Sequence, residues 1–336
     1  GHHRGVRAVG RQRSDRHERP DDDRAPTHRV DRARQHRGSH HHGTGHRAAL
    51  SVRLDDATAG LAGRALVGDP DTEVAAVTHD SRPIPAAALF ACLPGTNHDG
   101  HDHAPAAVAA GAVALLTERE LGLGVAEVVV PSTRAVLGPV SARVYGEPAR
   151  RLATVGITGT NGKTTTSLLL GAVLAEAGRS TEVVGTLSGA RTTPEAPELQ
   201  QRLAAAVDAG RTAAVMEVSS HALAQHRVDG IRFDVAVFTN LSRDHLDYHA
   251  TMEAYFQAKA RLFTPELCRH AAVNLDSPYG RLLVDSATVP TTGYTLDDAD
   301  DLSLGPQGAR FRWRGRPVEL ALAGRFNVVN ALAAAT

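Results

Sequence analysis

The sequence predicts an α/β protein built on a mostly parallel sheet, and three observations carry that expectation. From Leu50 onward, short apolar runs alternate with alanine-rich helical runs, the texture of strands each followed by a covering helix. One apolar run, Leu152–Thr158, passes through a glycine-rich turn directly into a helical pattern over Lys163–Ala177 that Gly178 stops. A chain of 336 residues has room for two or three domains. The expected division is a segment over 1–49, a small N-terminal α/β domain over 50–148, and a P-loop-type central domain over 149–336.

Taken in order, Leu89–Leu93 reads as a buried strand, Ala104–Ala110 as a helix, and Ala112–Leu116 and Val128–Val130 as further strands. The turn-prone Gly146-Glu147-Pro148 closes this unit. After Leu152–Thr158 and its helix, strands are expected at Ala213–Val218, Val235–Thr239 and Ala271–Asn274. A helix over Thr251–Phe263 separates the last two. The chain stops at Thr336 inside another helical run, Asn327–Ala335, without a capping residue, as though cut.

Composition narrows the function. The 42% hydrophobic content suits a soluble globular chain, and no apolar run nears the roughly 18 residues a membrane span needs. No charged stub precedes an apolar stretch, so no signal peptide is expected. Cys92 and Cys268 are too few for a disulfide framework. A cytoplasmic protein without membrane attachment is the expectation. A formal net charge of zero argues against a duplex nucleic-acid partner.

That zero hides an asymmetry. Residues 1–50 carry 12 basic, 6 acidic and 9 histidine residues, leaving 25 basic against 31 acidic in the remainder. Residues 1–47 show no apolar period, so burial cannot offset their ordering entropy and the segment is expected to be disordered. A basic nucleic-acid arm and a metal tract through His40-His41-His42 are the functional alternatives. The Arg/His/Asp/Gly/Pro bias also resembles an out-of-frame reading of GC-rich coding DNA, which would make the segment non-native.

Strand, tight loop, then Gly-Lys-Thr opening a helix is an arrangement that binds phosphate. Glycines let successive backbone N–H groups converge on an anion, and the helix N-terminus adds its dipole. In Gly159-Thr160-Asn161-Gly162-Lys163-Thr164-Thr165, Lys163 is expected to reach the β- and γ-phosphates of a nucleotide triphosphate, and the Thr164 hydroxyl to ligate Mg²⁺. The common G-x-x-x-x-G-K spacing is not met, because Ile157 stands at the first glycine position, flanked by Gly156 and Gly159. Two later strands end in Met216-Glu217-Val218-Ser219-Ser220-His221 and in Phe238–Asp247. Strand ends of open α/β sheets are where ligands bind, so Glu217 and His245 are expected at one rim beside the loop, in a metal role. Glu217 by itself reads as a solvated carboxylate, Lys259 as a solvated helix lysine, and His221, His226 and His249 as surface or packing histidines.

The run Gly156–Asn330 resembles the ATPase domain of the Mur ligases. Gly159–Thr165 is similar to that family's G-T-N-G-K-T-T loop. Met216–Leu223 (MEVSSHAL), Thr239–His249 (TNLSRDHLDYH) and Gly324–Asn330 (GRFNVVN) are similar to its other blocks. Thr192-Thr193-Pro194 resembles an element of the MurE branch, and Thr78–Arg82 and Gly95–Gly100 resemble its uridine-binding N-terminal domain. The resemblance implies ATP and Mg²⁺ at Gly159–Thr165, a second metal at Glu217 and His245, and Lys259 carbamylated by CO₂ into an anionic ligand. It places Asn330 and Asn327 at the adenine. Thr192, Thr193, Ser219, Gln225 and Arg227 would meet a UDP-N-acetylmuramoyl dipeptide (UDP-MurNAc-L-Ala-D-Glu), and His79, Ser81, Thr96, Asn97 and His98 its uridine end. Two departures stand out. Pro85-Ala86-Ala87-Ala88 replaces the usual Pro-Gly-Asp before Leu-Phe. The family's third, Rossmann-like domain, which selects the incoming amino acid, has no counterpart before Thr336.

The implied reaction is a ligation. The γ-phosphoryl group of ATP moves to the D-glutamyl γ-carboxylate, and the amine of a diamino acid attacks the acyl phosphate. Heavy Ala, Arg and Gly usage suggests a GC-rich bacterium and favours meso-diaminopimelate over L-lysine. A monomer is expected. The competing expectations are a folylpolyglutamate synthetase-like ligase and an inactive fragment that binds ATP and UDP-sugar.

Overall fold

In the computed structural model of the chain, residues 51–95 and 98–336 are described. The expectations for residues 1–49 and for Thr96 and Asn97 lie outside the described residues. The N-terminal lobe holds a five-stranded sheet in the order Ala65–Val67, Ala126–Val129, Ala114–Thr117, Ala88–Ala91, Ala76–Thr78. Only its first pair is antiparallel. Period-two alternation sorts its side chains. Leu89 and Ala91 pack with Leu137, Val140 and Val144 of the helix Thr133–Val144, while Phe90 and Cys92 pack with Ala104 and Ala107 of the helix Ala104–Ala109.

The helix Thr133–Val144 was not expected, because Gly138-Pro139 lies inside it and both residues normally punctuate helices. Gly138 has a tertiary reason. A Cβ there would lie 2.1 Å from the Asp229 carbonyl oxygen, so the helix backbone presses directly on the second lobe. The strand expected at Val128–Val130 begins earlier, at Ala126, and includes the buried Glu127. Its carboxylate accepts from the backbone N–H groups of Leu121 and Leu123 at 2.7 and 3.2 Å, so the buried carboxylate has hydrogen-bond partners.

A short 3₁₀ turn, Pro148–Arg151, leads into the middle lobe. Its elements are β1 (Ala153–Thr158), α1 (Lys163–Glu176), β2 (Thr181–Val184), α2 (Ala196–Asp208), β3 (Ala213–Glu217), β4 (Phe233–Phe238), α3 (Met252–Ala260), β5 (Cys268–Asn274), β6 (Thr291–Tyr294) and α4 (Arg325–Ala335). The sheet order is β6-β5-β4-β1-β3-β2, all parallel. Both faces are covered. Ala214 and Met216 of β3 face the cluster containing Leu199, Leu203 and Tyr255, and Val215 faces the opposite one with Val328 and Leu332. The chain lays β2 and β3 on one side of β1 and then crosses over to lay β4, β5 and β6 on the other, so the carboxyl end of β1 is a topological switch point.

Ile157 is fully buried in β1, which is why no glycine occupies that place. A three-stranded antiparallel sheet, Asp300–Gly305, Gly308–Trp313 and Arg316–Leu320, was not foreseen. Its Ala309, Phe311 and Leu320 join the core beside β6 and α4. Cys92 and Cys268 are buried and free, and no helix among the described residues is long and apolar enough to cross a membrane.

Candidate active site at the carboxyl end of the parallel sheet

Gly159–Thr165 leaves β1 and enters α1 with two glycines in conformations that side chains resist. Gly159 and Gly162 have φ of 152° and 88°. A Cβ at Gly159 would strike the Thr239 hydroxyl at 1.9 Å, and one at Gly162 would strike Asn330 Oδ1 at 2.3 Å. The loop is held from β4: Thr160 N donates to Asn240 O (2.9 Å), Asn161 N to Asn240 Oδ1 (3.0 Å), and Thr239 Oγ1 to Asn161 O (2.6 Å). Those amides are therefore engaged, and the donors left to an anion are the first-turn N–H groups of α1, whose N-terminus has no side-chain cap.

Lys163 Nζ folds back to donate to the carbonyls of Gly159 and Thr160 at 2.8 and 2.9 Å. Burial holds it below the ordinary lysine range, opposed by Glu217 and Asp244. Lys259 corrects the solvated reading: it is 1% exposed, and its Nζ donates to the same Gly159 carbonyl at 3.0 Å. Burial pushes it well below the lysine range and the nearby Lys163 adds to this, with Asp244 opposing. The Tyr255 ring sits 4.6 Å from the Lys259 ammonium, and the Tyr255 hydroxyl meets Thr160 Oγ1 at 3.1 Å.

Glu217 is likewise buried, at 1% exposure. Its Oε2 accepts from Thr164 Oγ1 (2.9 Å) and Thr186 Oγ1 (3.3 Å), and its Oε1 from Thr186 N (2.9 Å). Among the described residues it forms no ion pair. A buried carboxylate beside a hydroxyl, short of a cation, is a hard-oxygen donor set that fits Mg²⁺. His245 lies beyond the end of β4 at φ 51°, its ring 6.0 Å from Tyr255 and 4.9 Å from His221. The structure thus brings His245 and Lys259 to one tyrosine, Tyr255, but no direct contact joins His245 to Glu217. No group of three His, Cys, Asp or Glu with metal-holding spacing occurs among the described residues. His249 is buried, stacks on Tyr255 and meets Ser220 Oγ at 2.9 Å, a packing role as expected.

Asn327 and Asn330 meet the loop on its other side. They line a cleft of about 510 Å³ with Asn161, Gly162, Thr165, Asn240, Asn274 and Phe326. Phe326, 68% exposed, was missed, since a lone aromatic in a helical run reads as core. Asp244 and Tyr255 were missed as well. The TNLSRDHLDYH block had offered a signal for the aspartate.

The expected substrate residues form one network. Thr193 Oγ1 donates to the Glu217 carbonyl (2.9 Å) and accepts from Ser219 N (3.1 Å). Arg227 donates to the Thr193 carbonyl (3.1 Å) and to Gln225 Oε1 (2.6 Å), and the Thr192 and Thr186 hydroxyls meet at 3.1 Å. His79 and Ser81 follow the strand Ala76–Thr78 in the N-terminal lobe, and burial lowers the His79 pKa. His98 is exposed, and its carbonyl accepts from Gly95 N at 2.9 Å.

The profile of the Mur ligase middle domain matches residues 157–336, and that described as Mur ligase family, catalytic domain, matches 73–147. The chain belongs to the Mur ligase family. Members of the Mur ligase family are ATP-dependent amide-bond ligases. The chain is 43% identical over 292 residues to the UDP-N-acetylmuramoyl-L-alanyl-D-glutamate--2,6-diaminopimelate ligase of Streptomyces coelicolor, covering 79% of this chain and 58% of that protein. It is 42% identical over 312 residues to the ligase of the same name from Geobacter sulfurreducens, covering 84% and 61%. A solved structure of a UDP-N-acetylmuramoyl-L-alanyl-D-glutamate--2,6-diaminopimelate ligase superposes with a TM-score of 0.74 at 32% identity, over 85% of this chain and 63% of that one. The chain therefore spans about 60% of the length of these curated Mur ligase relatives.

Proposed function

We propose that the chain carries the nucleotide and dipeptide sites of an ATP-dependent ligase of the MurE type. It joins meso-diaminopimelate to the D-Glu γ-carboxylate of UDP-MurNAc-L-Ala-D-Glu, and the names of its relatives favour that diamino acid over L-lysine. One observation carries the reading. The Glu217 side chain touches Thr164 of the phosphate loop while its backbone carbonyl accepts from Thr193 of the dipeptide network. A single buried residue would therefore set nucleotide and phosphoryl acceptor side by side, as phosphoryl transfer between them requires.

The first-turn amides of α1 hold the phosphates, Lys163 leaves its two carbonyl partners for the transferring group, and Asn327, Asn330 and Phe326 hold the adenine. Arg227, Ser219, Gln225, Thr192 and Thr193 orient the dipeptide, and His79, Ser81 and His98 would meet the uridine end, the role the family resemblance also implies for Thr96 and Asn97. Thr164, Glu217, His245 and the Lys259 carbamate would hold Mg²⁺, which when bound offsets charge on the phosphoryl oxygens. Deprotonated Lys259 is the form that reacts with CO₂, and burial favours it. The lobes propose a domain division at 148/149, and the ligase would act on soluble precursors in the cytoplasm.

The test is turnover with ATP, UDP-MurNAc-L-Ala-D-Glu and either diaminopimelate or L-lysine, read as phosphate release and product mass. Lys163→Ala should lose about 3 kcal/mol or more of transition-state stabilisation. Normal ligation by that variant sinks the assignment.

A further inference from the structure

Glu195 belongs neither to the phosphate loop nor to the residues assigned above to substrate, yet it is 4% exposed. Its two carboxylate oxygens serve different lobes. Oε2 lies 2.7 Å from Arg134 Nη1, on the helix Thr133–Val144 of the N-terminal lobe. Oε1 lies 2.9 Å from Arg227 Nε in the middle lobe, as an ion pair without the alignment of a hydrogen bond. Packing repeats the link. Ala196, the first residue of α2, is buried in the apolar core of the N-terminal lobe with Leu137 and Val140. His79, at the uridine turn, feels the charges of Glu195, Glu198, Arg134 and Arg191. Arg227 is spread over three anchors, the Thr193 carbonyl, Gln225 and Glu195.

A carboxylate buried between two guanidinium groups costs desolvation and is retained only where its geometry is held from both sides. Here the two sides are the two lobes. The Arg227 fork meets an acidic ligand at low entropic cost only if its stem is already fixed. We propose that Glu195 is a positioning residue for the dipeptide: it presets Arg227 and couples that setting to the lobe holding the uridine end. The inference rests on the functional reading above.

The experiment titrates UDP-MurNAc-L-Ala-D-Glu and, separately, a Mg²⁺ complex of a non-hydrolysable ATP analogue into the wild-type chain, Glu195→Gln, Arg134→Met and the double variant. Glu195→Gln should weaken the UDP-dipeptide about tenfold or more, the scale of a cut buried charge pair. Nucleotide binding should stay within about twofold, because the charge partners of Glu195 are Arg134 and Arg227 and neither belongs to the phosphate loop. Arg134→Met, which removes a half-exposed side chain, should weaken the UDP-dipeptide by a smaller factor. The double variant should bind no more weakly than Glu195→Gln, because Arg134 acts through Glu195. Unchanged UDP-dipeptide affinity, equal loss of both ligands, or additive losses in the double variant each overturn the proposal. A wild-type chain that binds nucleotide but no UDP-dipeptide sinks the functional reading itself, and this inference with it.

Discussion

At the ε-amino group of Lys259, burial and the neighbouring Lys163 both disfavour the charged form. The unfolded chain lacks that burial and keeps its proton to higher pH. Between the depressed folded value and the ordinary lysine value the unfolded state therefore binds more protons, so stability rises with pH across that window. Urea midpoints measured from neutral to alkaline pH, in CO₂-free buffer without divalent cations, should show this rise. Lys259→Met should flatten it, leaving the smaller contribution of Lys163; an undiminished slope in that variant would refute the burial argument. A second residue stores a small strain. Ala87, in the stretch that departs from the family's Pro-Gly-Asp, has φ 49°, a conformation natural to glycine. Ala87→Gly should stabilise the chain by about 1 kcal/mol, less the extra entropy of the unfolded glycine. A lower midpoint for this variant would show that the left-handed turn costs nothing here.

At the scale of elements, the joint between the helix Thr133–Val144 and the Asp229-Gly230 turn is a close backbone approach between the lobes. Cβ atoms at Gly138 and Gly230 would each meet backbone of the other segment, at 2.1 and 2.7 Å. Neither neighbour is a side chain that can swing aside. Gly138→Ala should therefore destabilise the chain by about 1–3 kcal/mol, read by chemical denaturation, and a neutral result would mean that the lobes shift freely. The same joint explains a limit of sequence reading. Gly138-Pro139 looks like a break in local terms, and only a partner distant in sequence shows that the glycine serves a contact. The antiparallel sheet Asp300–Leu320 was hidden for a related reason. Only Ala309, Phe311 and Leu320 of it are deeply buried, too few apolar positions to show a period.

Across the whole molecule, the proposed nucleotide site draws on β1, α1, β3, β4, α3 and α4, so bound ligand should stabilise all of these together. Mg-ATP at about a hundred times its dissociation constant should raise stability by about 2.7 kcal/mol. A thermal-shift titration reads this, and Lys163→Ala should lose most of it. A shift that survives unchanged in the variant would place the nucleotide elsewhere. The segments that converge on Gly159–Thr165 are separated by long stretches of chain, yet their motifs were readable one by one, because strand, glycine turn and helix start are each encoded locally.

Local chemistry thus determined the α/β class, the glycine loop at a helix start and most strands of the central sheet, while Arg227 and Lys259 were singled out only by the family resemblance. Their roles needed the tertiary structure. Whether Lys259 and Glu217 face solvent or protein, which loop amides remain free, and that Glu195 bridges two lobes depend on burial and on partners far along the chain. Solvation and charge pairing are properties of three-dimensional surroundings, and a residue's own neighbours in sequence do not specify them.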